Sequence, residues 1–111
     1  MNLDHRQTTP SSVRTLVHEL SSASFSLGAA LASDETREER VREAREALEA
    51  FQLLERTPNP FVVPRRVRRR VEWALAQLER GNLELADADV RWAGGVFAKA
   101  MLEQYGDAGT G

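Results

Sequence analysis

Three of the four prolines fall within seven residues, at Pro58, Pro60 and Pro64. Each lacks a backbone N–H, fixes its own φ and drives the residue before it out of the helical region. No helix passes through Thr57-Pro58-Asn59-Pro60-Phe61-Val62-Val63-Pro64. The segments on either side carry helical spacing, and no strand pattern competes with it. The chain is therefore expected to be all-α, with a helical half before residues 57–64 and another after them.

The first half reads as two helices. From about residue 10 to 32, Val13, Leu16, Val17, Leu20, Leu27 and Leu31 recur on one helical face. Thr9-Pro10 supplies a cap and a first-turn proline. Ser33-Asp34-Glu35 then restarts the chain with a capping residue and an acidic first turn. The second helix, expected over 34–56, carries Val41, Ala44, Leu48, Phe51 and Leu54 at steps of three and four. Glu38/Arg42 and Arg45/Glu49 are expected as i,i+4 ion pairs on its solvent side.

The second half mirrors the first. Pro64 suits the first turn of a helix over 64–80, which Gly81-Asn82 closes. Val67, Val71, Leu75 and Leu78 form its apolar face. The last helix, expected over about 84–105, carries Val90, Gly94, Phe97 and Met101. Gly94-Gly95 inside it costs roughly 2 kcal/mol of helix propensity relative to two alanines. The diglycine is read as a close helix approach or a bend. Phe61 and Val63 are read as plugs at the bundle end. The expected architecture is a four-helix bundle of two helical hairpins joined by the proline-rich segment. One helical domain spans 10–105, with flexible ends at 1–9 and 106–111.

Charge is distributed unevenly. The chain is slightly acidic overall, at −2. Residues 34–56 hold eight acids against five arginines, whereas 65–80 hold six arginines against two glutamates. Five of those arginines stand in six positions, Arg65-Arg66-Val67-Arg68-Arg69-Arg70. Arginine offers bidentate, stackable and always-charged contacts. On a helical wheel Trp73 lies among these arginines, roughly 140° from the apolar face of its own helix. Trp92 likewise lies off the stripe of the last helix.

Two readings of this surface compete. A charge run is usually a solvated helix face, and these arginines could pair with the acidic second helix. A buried Trp73 would make the third helix two-sided. Alternatively, indoles set among guanidinium groups form an anion-binding and stacking face. The candidate contact residues on that reading are Arg65, Arg66, Arg69, Arg70, Trp73 and Arg80, with Trp92 as a second anchor.

Catalytic and metal chemistry finds little support. There is no cysteine, which removes disulfides and thiolate sites. His5 and His18 have no partner at ligand spacing. No nucleophile elbow and no phosphate-cradling glycine loop occurs. No metal, no cofactor and no enzymatic activity is expected. No run of about 20 apolar residues is present and the first residues lack the apolar core of a signal peptide, so a cytoplasmic, non-membrane protein is expected. The expected function is a non-catalytic interaction module, a subunit, adaptor or regulator with a protein partner. The alternatives are a nucleic-acid-binding helical subunit of a larger complex and a self-assembling structural protein, with a homo-oligomer as a further partner class.

Overall fold

Apolar side chains at steps of three and four wind one stripe onto each helix, and those stripes meet in a single core. The computed structural model describes residues 11–57 and 62–106. Four α-helices cover most of them: α1 Ser11–Ala32, α2 Arg37–Arg56, α3 Arg65–Glu79 and α4 Leu83–Met101. A π-helical turn, Leu102–Gly106, extends α4. No strand occurs among the described residues. The flexible N-terminus expected at 1–9, Phe61 and residues 107–111 of the expected tail lie outside the described residues.

The connections follow from side-chain chemistry. Asp34, Glu35 and Thr36 form the turn before α2, which starts at Arg37 and not at Asp34. Ser33 Oγ accepts from the Glu35 amide at 3.3 Å. Arg37 pairs with Asp34 at 2.6 Å. Its Nε also donates to the Ala30 carbonyl at 2.9 Å, satisfying an orphan acceptor in the last turn of α1. Pro64 precedes α3 at φ −57°, ψ 140°, extended as its ring permits. At the other end of α3 the Asn82 amide donates to Gln77 at 2.9 Å and the Gly81 amide to Leu78 at 3.1 Å. That pair of bonds is a Schellman close, and Gly81 supplies the left-handed residue it needs, at φ +79°.

α1 packs chiefly on α2, α3 on α4, and the two pairs meet through α1 and α4. α2 and α3 touch only lightly. Leu16, Leu20 and Leu27 of α1, Leu48 and Phe51 of α2, Val67, Val71 and Leu78 of α3, and Val90 and Phe97 of α4 fill the core. Phe51 and Phe97 meet edge to face, with centroids 5.9 Å apart and planes at 82°. Small residues let the backbones converge: Ala23, Ala44, Ala74 and Ala93 are fully buried. In α4 the inward position is Ala93; Gly94 is only half-buried and Gly95 is exposed. A Cβ on either glycine would meet nothing within 4 Å, so no helix approaches them closely. Val63, just before α3, is buried in the same core as Val67.

Candidate interaction surface

α3 holds Val67, Val71, Ala74 and Leu78 against the core. That register leaves Arg65, Arg66, Arg69 and Trp73 facing out. Pro64, Arg65, Arg66, Arg69, Arg70, Trp73 and Trp92 line one open cleft of about 520 Å³. Six of the seven contact residues read from the sequence thus share one site. Arg80 does not line it. It sits at the C-terminal cap of α3, about 15 Å along the axis from Arg70 at 1.5 Å per residue.

Arg70 organises the cleft. Its guanidinium stands 4.3 Å from the Trp92 ring centroid and 5.2 Å from that of Trp73. Asp89 fixes the guanidinium from α4, with Arg70 Nη1 donating to its Oδ1 at 3.3 Å. The cation therefore joins two indoles from different helices, each contact a cation–π attraction. Trp73 remains 48% exposed and Trp92 38%, so neither is a core residue.

The other arginines divide into those with an ion pair and those without one. Arg68 reaches Glu55 of α2 at 3.9 Å, an ion pair joining α3 to α2. Arg65, Arg66 and Arg69 have no ion pair among the described residues. The expected pairing of Arg66, Arg69 and Arg70 with the second helix is not what forms. α2 and α3 hardly meet, and Arg70 turns to α4 instead. No acid stands in the first turn of α3, and no side chain caps it. Cations at a helix N-terminus oppose the macrodipole, each by roughly 0.3–1 kcal/mol when exposed. The cleft is thus a concentrated positive surface that the fold neutralises only in part: Asp89 pairs with Arg70, and Glu55 and Glu72 line an adjoining pocket with Arg65 and Arg69.

The acids of α2 show the complementary condition. Arg40 pairs with Glu43 at 3.0 Å. The expected Glu38/Arg42 and Arg45/Glu49 pairs are not formed. Glu46 and Glu49 have no ion pair among the described residues, and both are exposed. Leu53, one helical turn beyond Glu49, is 65% exposed.

Sequence reasoning missed Asp89. A signal was available: a hairpin folded about Gly81 sets Arg70, eleven residues before it, level with Trp92, eleven after. Asp89 lies one turn before Trp92 on the same helix. Asp87 was missed too. It pairs with Arg91 at 3.0 Å through Oδ2, while its buried Oδ1 has no hydrogen-bond partner.

Elsewhere, Val17, Leu20, Phe25, Val90 and the diglycine line an apolar groove of about 490 Å³ between α1 and α4. Phe25 stands 70% exposed at its rim. Among the described residues no group of three or more histidines or acids is placed to hold a metal ion. No described helix is long and apolar enough to cross a membrane. The chain matches no protein-family model, and comparison with curated proteins and with solved structures finds no significant match.

Proposed function

We propose that this chain is a non-catalytic interaction module that docks on a protein partner through the Arg/Trp cleft. Two helical hairpins, joined by the proline-rich segment, form the scaffold. The cleft supplies the anchors. One observation carries the reading: Arg65, Arg66 and Arg69, with no ion pair among the described residues, stand around two half-exposed indoles in contact with Arg70, which Asp89 holds. A local arrangement that opposes helix electrostatics, with no return inside the fold, is the mark of a functional surface. Arg and Trp are also the residue types that dominate binding energy at protein interfaces.

Nucleic acid is the weaker occupant. Stacked bases need free ring faces, and Arg70 already occupies one face of each indole. A polyanion also needs a continuous positive track. Here Glu72 and Glu79 follow on α3, and the acids of α2 and α4 lie beyond.

The test is affinity purification from the native host, with and without nuclease, using the wild-type chain and Arg66→Glu/Arg69→Glu. The reading expects a protein that survives nuclease and disappears with the charge reversal. Recovery abolished by nuclease would transfer the cleft to nucleic acid.

A further inference from the structure

We infer that the protein partner of the Arg/Trp cleft is a second copy of this chain, which presents the outer face of its α2. The inference rests on the interaction reading above and adds the identity of the occupant. α3 presents Arg66, Arg69 and Trp73, at positions i, i+3 and i+7. α2 presents Glu46, Glu49 and Leu53 at the same i, i+3 and i+7. Each triplet falls within an arc of roughly 60° and spans about 10 Å of helix axis. Side by side and parallel, the two helices set Arg66 level with Glu46, Arg69 with Glu49 and Trp73 with Leu53.

Every member of both triplets is available. Arg66, Arg69, Glu46 and Glu49 are exposed and have no ion pair among the described residues. Trp73 is 48% exposed and Leu53 65%. The complementary stripes do not satisfy each other within one molecule. α2 and α3 touch only lightly, and among the described residues their one ion pair is Arg68 with Glu55. That pair stands at the end of α2 and the start of α3; Glu55 lines one pocket with Arg65, Arg68 and Arg69, and Arg66 and Trp73 lie outside it.

The cleft of one copy meets a different surface, α2, on the next. A second copy that returns the contact, α2 to cleft, closes a twofold dimer; one that does not builds open chains or rings. With two rim-type charge pairs and one apolar contact, association is salt-sensitive and strengthens with concentration.

Sedimentation equilibrium on the full chain tests this, from about 10 to 500 μM, at about 50 mM and 500 mM salt. The expected result is a mass above the 12.4 kDa monomer that rises with concentration and falls with salt. Arg66→Glu/Arg69→Glu and Glu46→Arg/Glu49→Arg should each weaken association about tenfold or more. An equimolar mixture of the two should regain it, because the reversed cleft of one meets the reversed α2 of the other. Circular dichroism confirms that each variant is folded. A wild-type chain that stays monomeric at 500 μM in low salt overturns the inference. So does an oligomer that survives Glu46→Arg/Glu49→Arg, or a mixture that stays apart. In those cases the cleft's interaction role still stands on recovery of another protein that Arg66→Glu/Arg69→Glu abolishes, so the two claims fail separately.

Discussion

Replacing Gly94 and Gly95 by alanine should stabilise this protein, although a glycine pair in a buried bundle invites the opposite expectation. Both residues lie inside α4 at ordinary negative φ. A methyl group at either position meets no atom within 4 Å. Nothing steric then opposes the gain in helix propensity, about 0.8–1 kcal/mol for each substitution. Part of that gain is reduced freedom of the unfolded chain. The double variant should gain about 2 kcal/mol, which for a domain near this size raises Tm by about 8 °C. Gly81→Ala is the internal control. At φ +79° an alanine is strained whatever space surrounds it, and the cost is about 1–2 kcal/mol. Urea unfolding followed by circular dichroism measures all three, with an unchanged m-value showing that stability alone has moved. A loss of stability in Gly94→Ala or Gly95→Ala would refute the reasoning. It would mean that a helix does approach the diglycine, as the sequence first suggested.

Three further outcomes follow from the same contacts. Phe51→Ala or Phe97→Ala should each cost about 3–5 kcal/mol, and the double-mutant cycle should return about 0.5–1.5 kcal/mol of coupling from the edge-to-face contact; additive losses would argue against it. Asp89→Asn removes the charge that fixes Arg70 and should cost about 1–2 kcal/mol. Its fluorescence should change as well, because Trp73 and Trp92 are the only tryptophans and both contact Arg70; an unaltered emission spectrum would show that Asp89 does not hold the cation. Arg66→Glu should leave the isolated protein as stable as before or more so, by up to about 1 kcal/mol, since it removes a cation from the positive end of α3 and breaks no ion pair; clear destabilisation in urea would reveal a structural role for that arginine.

Much of the secondary structure was legible because its causes are local. Apolar residues at steps of three and four mark the stripes of all four helices, and Gly81-Asn82 marks the close of α3. The start of α2 was less legible. Asp34 has the chemistry of a first-turn acid, but it is used to hold Arg37, and through Arg37 the end of α1. The α4 stripe was misread by one position. Gly94 fits the period as well as Ala93 does, and spacing alone cannot tell a small inward residue from an absent side chain.

The Arg/Trp surface divides the same way. The sequence by itself determined that α3 has a basic face with an indole in it, because helical register and side-chain charge are properties of one segment. It could not determine whether those arginines were neutralised, since that depends on which helices become neighbours. The tertiary structure decided it by packing α3 along α4 and giving α2 only a light contact, where Arg68 meets Glu55. That choice brings Asp89 and Trp92 to Arg70, and among the described residues it leaves Arg65, Arg66, Arg69, Glu46 and Glu49 without an ion pair. The physical reason is range: propensity and periodicity act within a few residues, whereas compensation of charge acts between surfaces that only the fold brings together or holds apart.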